Sequence, residues 1–262
     1  MRPLDQIRSF ILDMDGVLYR GERPLPGAKE FLEHLEARGK PYMLVTNNST
    51  RTPQEYVAKL RAMGMEVREE RILTSALATA EYLSQVLAPG APVYVVGERG
   101  LQQAVSERGF VLAEQGVRAV VAGMDRQLTY QKLKIATLAI RAGALFIGSN
   151  PDTSFPAEEG IVPGAGAVLA AIEVASGVKP VVMGKPEPGL FTAALGRMRA
   201  TPQETAVIGD RLETDVLGGK RCGLTTILVL TGISQEEDLK NSEIQPDFVF
   251  KDLIELGRAL PP

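Results

Sequence analysis

Short apolar runs recur along this chain, and four of them end abruptly in polar or charged groups. Phe10-Ile11-Leu12 breaks into Asp13-Met14-Asp15-Gly16, and Tyr42-Met43-Leu44-Val45 into Thr46-Asn47-Asn48. Pro180-Val181-Val182-Met183 breaks into Gly184-Lys185, and Thr205-Ala206-Val207-Ile208 into Gly209-Asp210. Runs of this length bounded by turn residues read as buried strands. Between them lie stretches with helical spacing, such as Ala28, Phe31, Leu32 and Leu35, closed by Gly39. Alternation of strand and helix makes a parallel sheet the default, so the expected class is α/β. Strand exits on a parallel sheet share the edge where ligands bind, which brings together residues far apart in sequence.

A second alternating set follows the connector Pro89-Gly90-Ala91-Pro92. Strands are expected over 93–96, 119–122 and 144–147, and helices over 101–108, 129–141 and 164–175. A block of about a hundred residues is enough for a small α/β domain of its own. After it come the helix that ends near Arg199, the run 205–208, a helix over 215–221, a strand over 226–230 and a closing helix over 251–259.

Composition removes several function classes. A chain of 262 residues with 45% hydrophobic content buries one large core or two ordinary ones. A net charge of −3 lacks the basic stripe of a nucleic-acid binder. No apolar run reaches the length of a membrane helix, and the first is interrupted by Asp13 and Asp15, unlike a signal peptide. The single cysteine, Cys222, excludes an internal disulfide and suits a reducing cytoplasm. It is also no Cys-x5-Arg nucleophile, because Leu228 stands where the arginine would be. The only histidine, His34, lies among glutamates on a helix. Histidine nucleophiles, catalytic triads and histidine-bound zinc therefore have almost nothing to work with. A calcium loop aligned on Gly16 would place Ile11 at its first ligand position, so that reading fails. Gly164-Ala165-Gly166 lacks the third glycine of a dinucleotide fingerprint, where Leu169 stands.

What remains is chemistry on carboxylates, lysine, threonine and a hard metal. Residues at i and i+2 of an extended segment point the same way, so Asp13 and Asp15 face one site. Two such carboxylates need a cation or a shared proton to coexist. An aspartate carboxylate can attack phosphorus, and a second one can protonate the leaving alcohol and then deprotonate water. Asp13, Asp210 and a backbone carbonyl near Asp15 offer the hard oxygens that Mg²⁺ prefers. Lys185 adds positive charge near the transferring group, and the Thr46 hydroxyl can hydrogen-bond its oxygen. Any one of these residues has a simpler reading as a cap or a surface charge; four in order at strand ends point to one site.

Asp13-Met14-Asp15-Gly16-Val17-Leu18, Thr46-Asn47-Asn48, Gly184-Lys185-Pro186 and Gly209-Asp210-Arg211-Leu212-Glu213-Thr214-Asp215 resemble the four motifs of the haloacid dehalogenase (HAD) superfamily. More narrowly, the chain is similar to its p-nitrophenylphosphatase-like, or NagD-like, branch, which includes sugar-phosphate, nucleotide and pyridoxal-phosphate phosphatases. The resemblance implies a Rossmann-like core over 1–80 and 179–262, with an α/β cap over 81–178 inserted between the second and third motifs. It implies Mg²⁺, with Asp13 as nucleophile, Asp15 as acid/base and Asp210 as the second carboxylate ligand. Asp215 and Gly209 then support the metal or Lys185, and Thr46, Asn47 and Asn48 bind phosphate. In the cap, Gly123-Met124-Asp125-Arg126-Gln127-Leu128-Thr129-Tyr130-Gln131-Lys132-Leu133 resembles the branch's substrate-facing loop, and Ser149-Asn150-Pro151-Asp152 another loop there. Asp125, Arg126, Asn150 and Asp152 are the resulting substrate candidates, although Asn-Pro-Asp is a turn signal in itself.

The expected activity is a cytoplasmic, Mg²⁺-dependent phosphatase acting through an aspartyl phosphate on small phosphorylated metabolites, with no nucleic-acid or membrane partner. Alternatives are a phosphomutase on the same core, a receiver-like signalling domain and a non-catalytic sugar-phosphate binder. Homodimers through the cap are common in similar proteins, while nothing in this sequence marks a self-complementary face.

Overall fold

The computed structural model describes residues 2–157 and 160–260. The chain divides into two compact units, one of Met1–Thr46, Pro53–Leu73 and Lys185–Pro262, the other of Asn47–Thr52 and Thr74–Gly184.

The first unit is built on a six-stranded sheet in the order Phe248–Phe250, Thr225–Val229, Thr205–Gly209, Ser9–Asp13, Tyr42–Thr46, Ile72–Thr74. Ser9–Asp13 pairs in parallel with a neighbour on each side, Ile11 lying opposite both Val207 and Met43. All five residues of Ser9–Asp13, Tyr42–Thr46 and Thr205–Gly209 are buried, as expected for parallel strands covered on both faces. The helix Ala28–Ala37 buries Ala28, Phe31, Leu32 and Leu35 on one stripe, and Phe31 meets Phe10 edge to face at 6.3 Å between ring centres. Leu12, Leu44 and Ile208 lie in the same core. Each such side chain contributes roughly 1.5–3 kcal/mol by leaving water.

The second unit has a five-stranded sheet in the order Val181–Val182, Leu145–Gly148, Ala119–Ala122, Pro92–Val96, Val111–Leu112, paired in parallel. Side chains alternate between its faces. Val93, Val121 and Ile147 pack with Ala80, Leu83, Leu101 and Val105 of the helices Ser75–Val86 and Arg99–Glu107. Val96, Val120 and Phe146 pack with Ile140, Leu169 and Ile172 of the helices Tyr130–Arg141 and Ala165–Ser176.

The apolar run at 180–183 does not join the other three strand exits on one sheet. Only Val181–Val182 is strand, and it forms an edge of the second unit's sheet opposite Ile147 and Gly148. A two-residue strand with Val181 about half exposed is too short for its sheet to be read from periodicity. Two short antiparallel ribbons, Tyr19–Arg20 with Arg23–Pro24 and Ser154–Ala157 with Gly160–Pro163, also carry no clear alternation and were not anticipated. Among the described residues, no helix is long and apolar enough to cross a membrane.

Candidate active site

Three adjacent core strands deliver their C-terminal residues to one sheet edge. Asp13 ends Ser9–Asp13, Thr46 ends Tyr42–Thr46, and Asp210 follows Gly209 at the end of Thr205–Gly209. Lys185 reaches them from the loop before the helix Pro188–Met198. Lys185 is 3% exposed, and its ammonium donates to Asp13 Oδ1 and, at 2.6 Å, to Asp215 Oδ1.

Asp215 lies in a π-helical turn, Leu212–Val216, a distortion frequent at functional sites. Its Oδ2 accepts from Arg211 N at 3.2 Å and from Thr214 Oγ1 at 3.3 Å. Gly209 backs it closely, since a Cβ there would lie 2.2 Å from the Asp215 carboxyl carbon. Asp210 is enclosed in the same manner. A Cβ on Gly16 would come within 2.4 Å of its Oδ2, and one on Gly232 within 1.9 Å, while Ile233 N donates to that oxygen at 2.7 Å. Thus Asp13, Lys185, Asp210 and Asp215 form one buried cluster.

Charge in this cluster is unbalanced. When ionised, its three carboxylates carry two more charges than the one ammonium offsets. Burial pushes the Asp13 carboxyl well above the usual carboxylate range; Lys185 opposes this, and Asp215 and Asp210 reinforce it. Burial likewise raises Asp210, with Asp215 as the next cause, to about 6. Burial alone would depress Lys185, but Asp13 and then Asp215 overcome it and hold the ammonium protonated far into the alkaline range. Among the described residues, no group of three or more His, Cys, Asp or Glu side chains is arranged to hold a metal. Mg²⁺ needs fewer, being held by one or two carboxylates with waters and substrate phosphate completing its shell. Asp13 and Asp210 supply two hard oxygen donors, and a divalent cation would cancel the excess charge, so the residues fit that ion.

Asp15 stands just outside this cluster. It remains open to solvent, but protein packed behind its carboxyl raises its pKa, against the pull of Lys59, Arg211 and Arg20. Its turn is closed by Gly16, whose φ of +86° suits a residue without Cβ and whose N–H donates to Tyr19 O at 2.7 Å. Lys59 lies 3.9 Å from the Tyr19 ring centre and 3.6 Å from Glu22.

The remaining candidates belong to the second unit. Asn47 O accepts from Asn150 Nδ2 at 2.6 Å and from Ser75 Oγ at 2.5 Å, and Asn47 Nδ2 donates to Asp152 Oδ1 at 3.1 Å. Asn48 Oδ1 accepts from Thr50 N at 2.9 Å and from its hydroxyl at 2.7 Å, closing an Asx turn. Asp125 is buried, caps Gln127 N at 2.9 Å and pairs with Lys132 at 2.6 Å. Arg126 is exposed and pairs with Glu98 at 2.9 Å. Asn47, Asn150 and Asp152 therefore form a connected set, while Asp125 and Arg126 each have a partner of their own.

Sequence reasoning did not single out residues 231–234, which touch Asp210 and the turn after Asp15. The available signal was the position of Thr231-Gly232 at the end of the run 226–230, a further strand exit in the same pattern.

A parallel sheet flanked by helices that gathers carboxylates and a lysine at its strand exits is an α/β fold with its ligand site at that edge. The chain matches the model of the haloacid dehalogenase-like hydrolases over residues 10–111 and a HAD-hydrolase-like model over 182–256. It is 44% identical over 253 residues to an acid sugar phosphatase of Staphylococcus aureus, covering 96% of this chain and 97% of that one. A solved 4-nitrophenylphosphatase from Thermotoga maritima is 41% identical with a TM-score of 0.94, covering 100% of both chains. A glycerol phosphate phosphatase from Mycobacterium tuberculosis, solved in complex with magnesium, is 35% identical with a TM-score of 0.89, covering 98% of this chain and 78% of that one. The chain belongs to the haloacid dehalogenase-like hydrolase family, among its NagD-like phosphatases.

Proposed function

We propose that this phosphatase hydrolyses phosphate monoesters of small metabolites, sugar phosphates foremost, through an aspartyl phosphate on Asp13 and with Mg²⁺. The observation that carries the reading is the buried junction of Asp13, Lys185 and Asp215 beside Asp210. Likeness to an acid sugar phosphatase and to a glycerol phosphate phosphatase supports the substrate class, and the magnesium complex of the latter supports the metal. The single cysteine, Cys222, supports a reducing cytoplasm as the location.

Asp13 attacks phosphorus, forming a bond between its carboxylate oxygen and phosphorus as the ester bond breaks. Asp15, protonated and open to solvent, gives its proton to the departing alcohol oxygen. The Asp15 carboxylate then takes a proton from water, whose oxygen attacks phosphorus and releases inorganic phosphate and the Asp13 carboxylate. Lys185 holds Asp13 in place and offsets negative charge, and the Thr46 hydroxyl at the neighbouring strand end donates to a phosphoryl oxygen. Asp13, Asp210 and a backbone carbonyl near Asp15 would hold the ion, which supplies positive charge against the dianionic phosphate. Enzymes of this chemistry overcome uncatalysed barriers worth up to about 10²¹-fold, so nucleophile, acid and charge neutralisation are all needed. The groups at the core strand ends address phosphate alone, and we assign discrimination among leaving groups to Asp125 and Arg126, with Asn150 and Asp152 behind them.

The test is release of inorganic phosphate from p-nitrophenyl phosphate and a panel of sugar phosphates, with Mg²⁺ and with excess chelator. Phosphate release that requires Mg²⁺ and Asp13 is expected. Transfer of the phosphoryl group to another sugar hydroxyl, without free phosphate, would make the protein a mutase.

A further inference from the structure

The strand Thr225–Val229 runs out of the core sheet beside Thr205–Gly209 into residues 230–235, a segment without a charged side chain. It nevertheless bonds to two separate parts of the site. Thr231 Oγ1 donates to the carbonyl of Gly16 at 2.6 Å, and Gly16 directly follows Asp15. Arg20, on the ribbon that leaves the same turn, donates to Thr231 O at 2.7 Å. Ile233 N then donates to Asp210 Oδ2 at 2.7 Å, and Ser234 N to Asp210 O at 2.9 Å. Ser234 Oγ accepts from Leu212 N at 3.1 Å, which ties the loop to the turn carrying Asp215.

The bond to Gly16 matters most because of what that residue lacks. Gly16 is buried against Asp210, and its φ of +86° is one that a residue without Cβ adopts at no steric cost, so hydrogen bonds to its backbone set its orientation. The peptide on its carbonyl side is fixed by Thr231, and its N–H by Tyr19 O at 2.7 Å. Asp15 is joined to that residue, so the aim of its carboxyl follows the orientation of Gly16. We propose that Thr231 is a positioning residue for the acid/base Asp15, and that residues 231–234 fix Asp15 relative to Asp210. This inference rests on the acid/base role proposed for Asp15 above. A threonine that merely closed a strand end would affect every substrate alike.

The experiment compares kcat and KM for glycerol phosphate, whose alkoxide leaves poorly, with those for p-nitrophenyl phosphate, whose leaving group needs little protonation. Wild type, Asp15→Asn, Thr231→Val and Thr231→Ser are measured side by side. Thr231→Val keeps the shape and removes the donor, and should lower kcat on glycerol phosphate about tenfold or more, against less than about threefold on p-nitrophenyl phosphate. KM should change little, and Thr231→Ser should recover most of the loss. The ratio of the two kcat values within one variant does not depend on the fraction folded; if Thr231→Val yields no folded protein, Thr231→Ala serves the same comparison. Equal losses on both substrates, or a serine variant no better than valine, would overturn the proposal. If Asp15→Asn itself shows no larger loss on the alkyl ester, the acid/base reading fails instead, and the two failures are told apart.

Discussion

Lys185 Nζ and Asp215 Oδ1 lie 2.6 Å apart with side chains only 3% and 2% exposed, and the same ammonium also donates to Asp13. One buried cation thus joins the carboxylate at the end of the central strand to one held in a π-helical turn. Removing one partner of a buried ion pair leaves uncompensated charge and costs about 3–5 kcal/mol. Lys185→Met should therefore destabilise the metal-free protein by about that amount in denaturant unfolding, and abolish turnover. A variant as stable as wild type would show that the carboxylates protonate instead of repelling.

Asp13 and Asp15 should separate by role. Asp13→Asn should abolish turnover and covalent labelling by substrate phosphate, because a carboxamide is a poor nucleophile. It should cost the metal-free protein less stability than Lys185→Met, because Lys185 keeps Asp215 as a partner while burial, Asp215 and Asp210 oppose the ionised Asp13 against the pull of Lys185. Asp15→Asn should cost about 10²- to 10⁴-fold on alkyl phosphates and much less on p-nitrophenyl phosphate. Wild-type turnover in Asp13→Asn would end the proposed mechanism.

Much of this site could be read from the chain because its charged members occupy strand ends, where an apolar run makes the change of chemistry plain. Asp13, Thr46 and Asp210 came from that contrast, and the buried strands behind them from unbroken apolar runs. Lys185 was found by the same signal although its preceding strand lies in the other sheet, so the residue was legible and its setting was not. The segment 231–234 sits at a strand exit as well, yet its role was not legible, for a different reason. It acts through backbone N–H groups, one hydroxyl and the missing Cβ of Gly232, and none of these is announced by a charged residue type. The helix Glu236–Asn241 escaped too, because it buries no residue; its capping box between Gln235 and Asp238 was the one local mark of its start.

Away from the site, stability should depend on pH through Asp247. Its Oδ2 accepts from Thr226 N at 2.8 Å and from Thr226 Oγ1 at 2.9 Å. Partial burial pushes this carboxyl up, but the Thr226 bonds and Lys220 prevail and hold it below its ordinary value. A depressed carboxyl contributes stability in full above its unfolded pKa of about 4, and loses it as pH falls through the lower folded value. Asp247→Asn should then cost about 1 kcal/mol at pH 7. That difference should shrink below about pH 4. Thermal melts of both proteins across that range check it, and a difference independent of pH would assign the effect to packing.

The metal assignment has its own test in Gly232. Chelation should remove activity and Mg²⁺ restore it, while Ca²⁺ should not, because its longer bonds and higher coordination number would misplace the nucleophile. A methyl group on residue 232 would lie 1.9 Å from Asp210 Oδ2, so in Gly232→Ala the carboxylate must move. Calorimetric titration of the resting protein should then show Mg²⁺ affinity reduced about tenfold or more, the scale of 1.4 kcal/mol of lost ligand alignment. Because this readout is binding, it is independent of any effect on the chemical step. Unchanged affinity in Gly232→Ala, or full activity in excess chelator, would remove Asp210 from the ligand set and leave Asp13 to be neutralised by Lys185 alone.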